Sequence, residues 1–216
     1  SSAVEHAGTS LPGEVVGSHV LVAGCWRGVA AAWVELLAAG GADVRFTYHH
    51  GTDDAAGVAA ASGATAHRLD ALAPDPGLAA IAADGWSPTH LAYFASPPIF
   101  VGMPGAYSTT LATGFHAVYV DAFERIVESL DPERLHGVLW PSSQAVETAT
   151  PGLAEYADAK RAGEAVCTRL AAEHPRLVVR WPRLPRLMTD QSTSFVPTEF
   201  GDTAAELLAA LRSLAR

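Results

Sequence analysis

Thiol chemistry has little to work with in this chain. Its only cysteines, Cys25 and Cys167, lie far apart and fall into neither a CxxC nor a Cys/His ligand spacing. A disulfide framework and a structural zinc site are not indicated, and a reducing, cytoplasmic setting is the expectation. Positive charge is scarce as well. Fourteen Lys and Arg stand against 23 Asp and Glu, a net charge of −9 at pH 7, which repels polyanions and leaves no basic stripe for a nucleic-acid backbone. No apolar run approaches the roughly 18 residues of a membrane span, and no basic segment followed by an apolar one marks a signal peptide. Internal repeats are missing too. What remains is a chain of 216 residues, 49% hydrophobic, long enough for one sizeable core and too short to expect two.

The opening stretch SSAVEHAGTSLPGEVVGS has no Met and no periodicity. Residues 1–17 therefore read as a linker or tag remnant, the remainder to 216 as one domain, and the whole as a piece of something longer. From there the pattern is regular. His19 to Ala23 is a short apolar run ending in glycine, followed by alanine-rich helical composition from Val29 to Ala39. Strands are expected at Asp43 to Tyr48, Thr65 to Leu69, Thr89 to Phe94, His136 to Trp140 and Leu177 to Trp181. Helices are expected at Thr52 to Ser62, Thr113 to Leu130, Leu153 to Glu173 and Ala204 to Ala215. Strands alternating with helices at this spacing imply right-handed βαβ crossovers. The fold class is α/β, a single Rossmann-type, doubly wound parallel sheet with helices on both faces.

The turn after the first strand reads Gly24-Cys25-Trp26-Arg27-Gly28-Val29-Ala30. Gly24 suits a tight turn, Gly28 lets backbone N–H groups approach a pyrophosphate, and Ala30 lets helix and sheet pack closely. The helix N-terminus at Val29 then faces an anion. The bland alternative is small residues serving α/β packing alone, and the strand–helix context favours the nucleotide. Arg27 is placed to pair with an adenosine 2′-phosphate, or is an ordinary solvated charge. After the second strand come Thr47-Tyr48-His49-His50, with no carboxylate before Asp53, so NADPH is favoured over NADH and Tyr48 and His49 join the candidate cofactor contacts. His49 and His50 are not read as metal ligands, because adjacent strand residues point in opposite directions and no third ligand is evident. Asp70 either accepts the adenine amino group or is a turn Asp.

Glu155-Tyr156-Ala157-Asp158-Ala159-Lys160 puts a phenol and an ammonium one helical turn apart on one face. A phenol with pKa near 10 is a poor acid–base group at neutral pH, and a neighbouring ammonium improves it by favouring phenolate. Ser143 lies just past the strand ending at Trp140, where its hydroxyl can hold a carbonyl, with Ser142 as the alternative. Singly each element occurs by chance. In this order they reinforce one another.

AGCWRGVA, the loop after THLAYF, PSSQAVE and YADAK together resemble the short-chain dehydrogenase/reductase family, in order, over residues 18 to about 190. The resemblance implies a nicotinamide cofactor, Tyr156 as proton donor to a carbonyl, Lys160 on the nicotinamide ribose and Ser143 orienting the substrate. It also implies Thr189 as a shifted counterpart of the family's carboxamide-binding threonine. Three departures stand out. The family's Asn-Asn-Ala-Gly after the fourth strand is Ala95-Ser96-Pro97-Pro98 here, so cofactor contacts from Ala95, Ser96 and Pro97 must differ. The helix Thr113 to Leu130 contains no asparagine, with Tyr119 or Val118 near the position of the family's relay residue. Trp181 to Arg186 replaces the Pro-Gly segment.

These departures make the chain similar to atypical reductase-like domains of modular polyketide or hybrid synthases. The leading expectation is thus an NADPH-dependent ketoreductase acting on a ketone or β-ketoacyl thioester, free or carried by an acyl carrier protein, as a homodimer or within a larger synthase. Competing readings are a catalytically impaired reductase-like module with a structural or docking role, and a nucleotide sensor that binds without turnover.

Overall fold

The computed structural model describes residues 15–25, 28–73, 77–99, 101–102, 105–148 and 150–184. The expected terminal helix from Ala204 and the candidate contacts Trp26, Arg27 and Thr189 lie outside these residues. All six expected strands are present, the first five being β1 (His19–Ala23), β2 (Asp43–Tyr48), β3 (Thr65–Arg68), β4 (His90–Tyr93) and β5 (Gly137–Leu139). Among these five, β1, β4 and β5 owe their apolar runs to burial on both faces, as a covered parallel sheet requires, whereas β3 at the sheet edge is exposed or half-buried. With β7 (Val178–Arg180) they form one parallel sheet in the order β3-β2-β1-β4-β5-β7. This is the doubly wound Rossmann arrangement, whose order reverses between β1 and β4, the place where such sheets bind ligands beyond their carboxyl ends.

Two apolar layers sandwich the sheet. Val20 and Val22 of β1 point to α1 (Gly28–Ala39) and α2 (Thr52–Ser62), and Leu21 and Ala23 point the other way, the period-2 alternation of a strand. Helix α1 buries Ala30, Trp33, Val34 and Leu37, a helical stripe at i, i+3, i+4 and i+7. Val15 is buried in the same layer. The opposite layer holds α3 (Leu78–Ile81), α4 (Thr109–His116), α5 (Phe123–Glu128) and α6 (Ala154–Glu173).

Three details depart from the sequence expectation. The helix expected at Thr113 starts at Thr109, because the Ser108 side chain accepts a hydrogen bond from Leu111 N–H and caps it. That helix is also not uniform. A π-helical turn at Ala117–Ala122 separates α4 from α5 and buries Val118, Tyr119 and Val120 in succession, which a 3.6-residue period cannot put on one narrow face. From β4 below, the Tyr93 hydroxyl donates to Val118 O at 2.6 Å. Finally, β6 (Ser142–Ser143) pairs in parallel with β8 (Arg183–Leu184) as a separate two-stranded ribbon, too short to show in a hydropathy pattern.

Candidate active site

The loop after β1 is held from two sides. Gly24 N–H donates to Thr47 Oγ1 at 3.0 Å and Cys25 N–H to Thr47 O at 2.6 Å, tying the turn to the end of β2. On the other side Gly24 sits against the Ala95 backbone so closely that a Cβ would overlap it, and its φ is +84°. Only glycine meets both demands. At Gly28, which opens α1, the Cβ direction faces open space, and the first turn of this 12-residue helix carries no acidic residue. Its first turn, whose N–H groups have no partner within the helix, and its positive dipole end lie beside the β1/β4 crossing, a cradle that fits a pyrophosphate. Val29, half-buried, is in this first turn.

Tyr48 ends β2 half-buried and His49 is exposed beyond it. The rings of His49 and His50 do not point apart as expected but stack at 4.0 Å. The strand stops at Tyr48, so strand alternation no longer governs them. Among the described residues no group of three His, Cys, Asp or Glu could hold a metal ion. Asp70 Oδ1 accepts from Leu72 N–H at 2.9 Å, the Asx turn that was the alternative reading of this residue. After β4, Ala95 backs Gly24, while the exposed Ser96 donates to Pro97 O at 3.1 Å and therefore accepts from the Tyr119 hydroxyl at 2.6 Å.

The catalytic candidates gather where β5 gives way to β6 and α6 crosses above. Ser142 and Ser143 project to opposite sides of β6. Ser142 Oγ donates to Glu164 Oε1 at 2.5 Å, and Glu164 is clasped by Arg183 through both its oxygens. Burial raises the Glu164 pKa, but hydrogen bonds from Arg183 and Ser142 outweigh that and hold the carboxyl below its ordinary value. Ser143 is 1% exposed, and its Oγ accepts from Ala145 N–H, leaving its proton to donate elsewhere. Accordingly, Ser143→Ala is expected to cut the turnover of a carbonyl substrate bound here by about 10²-fold or more, the loss typical of one carbonyl-oxygen donor. Ser142→Ala should leave turnover within about threefold of the parent. Steady-state kinetics of the two variants side by side check the assignment.

Tyr156 is 1% exposed and meets the rings of Phe115 and Tyr119 edge-on, with centroids at 5.9 and 5.6 Å. Lys160, one turn on, is 7% exposed. Its Nζ donates to Pro141 O at 2.7 Å and lies over the rings of Tyr119 at 4.0 Å, Trp140 at 4.3 Å and Tyr156 at 5.9 Å. Burial pushes its pKa down to about 7, with Cys167 and Glu164 pulling it back up. The pair is thus brought together as the helix spacing predicts, in an aromatic box that the spacing does not reveal. Of the two rings that build that box, the sequence marks Tyr119 only as near the position of the family's relay residue and gives Trp140 no site role. The available signals are an aromatic at a strand's carboxyl end and Gly163 on α6, where a Cβ would overlap the Trp140 ring.

These shifts set a pH dependence. In the unfolded chain Lys160 keeps its proton to about pH 10.5, in the fold only to about 7. Unfolding between those values takes up a proton, so stability rises with pH by up to about 1.4 kcal/mol per unit. The thiols act in reverse above their ordinary 9.0. Burial pushes Cys25 up to about 12 and raises Cys167 as well, so there unfolding releases protons and stability falls. Urea midpoints are therefore expected to climb from pH 7 to about 9 and decline beyond, with Lys160→Met flattening the climb.

A cleft of about 410 Å³ opens beside the start of α6, between Gly105–Tyr107 and the segment holding Thr148 and Glu155. The buried Glu155, a carboxylate that sequence reasoning left aside, closes its base by accepting from Ser108 N–H at 2.6 Å. A larger hollow of about 540 Å³ near His136 and His174 lies at the opposite, amino-terminal end of β5 and β7, away from the catalytic candidates.

Architecture and site geometry together define the Rossmann-type α/β fold found in short-chain dehydrogenase/reductases. Solved structures bear out that class. Escherichia coli yciK, an oxidoreductase, is similar with a TM-score of 0.77 at 17% identity, over 95% of this chain and 93% of that one. A short-chain dehydrogenase from Salmonella enterica serovar Typhi gives 0.76 at 16% identity over 92% and 91%. A short-chain dehydrogenase/reductase from Serratia marcescens gives 0.71 at 22% over 90% and 83%. At these identities the likeness is one of fold. No protein-family model and no curated protein sequence matches the chain. Among the described residues no helix is long and apolar enough to cross a membrane.

Proposed function

We propose that this chain is an NADPH-dependent carbonyl reductase of the short-chain dehydrogenase/reductase kind. The observation that carries the reading is Lys160 beside the Tyr156 ring and bonded to Pro141 O, two residues before Ser143, with Tyr119 and Ser96 linking this group to the loop after β4 that backs Gly24. The cradle and the N-terminus of α1 would hold the pyrophosphate, with Ala95 and Ser96 forming the wall across from it. NADPH is preferred because no carboxylate stands at the end of β2, where Tyr48 and His49 leave room for a phosphate, and Arg27 supplies a cation in the loop. Bound there, the cofactor supplies hydride to a carbonyl carbon. Ser143 donates a hydrogen bond to the carbonyl oxygen, Tyr156 delivers its proton to the oxygen as negative charge develops, and the Lys160 ammonium stabilises the phenolate left behind.

The substrate class is a ketone, with a β-ketoacyl thioester on an acyl carrier protein in polyketide-type biosynthesis as the specific case. The resemblance of PSSQAVE and YADAK to synthase reductase domains supports it. One solved structure of similar fold, 21% identical with a TM-score of 0.70, is provisionally described as a betaketoacyl-ACP reductase. NADPH oxidation in the presence of an acetoacetyl thioester tests the reading. Turnover abolished by Tyr156→Phe supports it, and no turnover on a panel of ketones and β-ketoacyl thioesters counts against it.

A second reading, a reductase-like module without turnover, is favoured by one observation. Lys160 is committed to Pro141 O and three aromatic rings, and Tyr156 is 1% exposed. NADPH binding without oxidation of the cofactor on any carbonyl tested is its expected signature.

A further inference from the structure

Lys160 is the chain's only lysine, and every other member of its 14 basic residues is an arginine. The exception is chemically pointed. Guanidinium stays charged everywhere in proteins, whereas an ammonium is a compact group whose protonation responds to burial. The chain's one ammonium side chain thus stands almost wholly buried, among the rings of Tyr119, Trp140 and Tyr156.

Of the rings around it, Tyr119 is the nearest, with Nζ 4.0 Å from its centroid. Three further contacts fix that ring. It is edge-on to Tyr156 at 5.6 Å and to Trp140 at 6.5 Å, and it is stacked with Phe115 at 6.2 Å. Its hydroxyl donates to Ser96 Oγ at 2.6 Å, and the Ser96 proton is directed to Pro97 O. The ring is carried on the π-helical turn at Ala117–Ala122, a distortion that recurs at functional sites because it re-aims side chains without breaking the helix. Tyr119 therefore touches both members of the YxxxK pair and the loop after β4 at once.

We propose that Tyr119 is the positioning residue for Lys160: its ring face holds the buried ammonium, and its hydroxyl, anchored on Ser96, fixes that ring to the loop after β4. The contact stands on geometry alone, and only the purpose of the lysine rests on the reductase reading. Other groups that can bias the ammonium are Pro141 O at 2.7 Å and the Trp140 ring at 4.3 Å, which remain in every Tyr119 variant, and Tyr156, Glu164 and Cys167 on α6. Glu164 is held as a carboxylate by Arg183, and Cys167 is a buried thiol whose pKa is raised. Neither contact changes when Tyr119 is replaced.

A chain with one lysine gives one signal when grown on lysine isotopically labelled at Cε, and its NMR shift against pH reads the protonation of Lys160 directly, with no cofactor present. In Tyr119→Leu the midpoint is expected to fall by about one pH unit, the scale of a desolvated cation–π contact. In Tyr119→Phe, which keeps the ring face, it should stay within about 0.3 unit of the parent. Tyr119→Met fills the volume without a π face and should follow Leu, so that a Leu variant that opens the core or fails to fold does not decide the matter. A midpoint unchanged or raised in the Met variant overturns the proposal. NADPH titration of the same samples separates the two ideas. Absent binding with a lowered midpoint removes the reductase reading and leaves the Tyr119 contact in place, whereas binding with an unmoved midpoint does the reverse.

Discussion

Replacing Tyr156 with phenylalanine is expected to reduce turnover by about 10²-fold or more while leaving NADPH affinity nearly unchanged. The substitution removes one oxygen. The ring that meets Phe115 and Tyr119 edge-on stays, so the packing of α6 against the π-helical turn is preserved. What is lost is the only proton donor on that face of α6 one turn from Lys160. Because the nucleotide cradle is built from Gly24, Gly28 and the start of α1, on the other side of the β1/β4 crossing, its affinity has no reason to follow. A variant with full turnover removes Tyr156 from the mechanism. A variant that loses both turnover and NADPH binding shows a structural effect instead, which a thermal melt on the same sample identifies.

The second large effect is expected at Gly24. Gly24→Ala puts a methyl group into the Ala95 backbone at a φ of +84° that L-residues rarely adopt. Strain and overpacking each contribute on the order of 1–3 kcal/mol, so a loss of about 3 kcal/mol or more in urea unfolding is expected. The turn cannot relax easily, because Gly24 and Cys25 are both hydrogen-bonded to Thr47 and Phe94 N–H is bonded to Ala23 O. NADPH binding should be lost with it. Unfolding within about 0.5 kcal/mol of the parent would show that the β1–β4 approach tolerates a side chain and that Gly24 is not the closing point of the cradle.

Much of this architecture is legible in the sequence for a simple physical reason. Strands covered on both faces must be apolar throughout, so HVLVA and THLAYF announce themselves, and glycine after the first marks the turn to α1. The site is legible only in part. Helical periodicity brings Tyr156 and Lys160 to one face, yet nothing in YADAK tells that the ammonium will sit between Tyr119 and Trp140, since those rings arrive from a distant helix and a strand end. The π-helical turn leaves no mark on a periodicity of 3.6 residues per turn. On sequence Ser143 is the candidate and Ser142 its alternative. Their roles diverge through Glu164 and Arg183, about twenty and forty residues away in the chain. Strand alternation does not extend to His49 and His50, which lie one and two residues beyond the end of β2.

The central claim is that the Gly24–Gly28 cradle binds a nicotinamide dinucleotide, with NADPH preferred. Fluorescence titration of the purified chain with NADPH and, separately, NADH tests it most directly, because it requires no substrate. Saturable binding with NADPH at least about tenfold tighter, a difference of about 1.4 kcal/mol, is the predicted result. Binding of neither nucleotide would contradict the account and leave the fold as the scaffold of a module with another role.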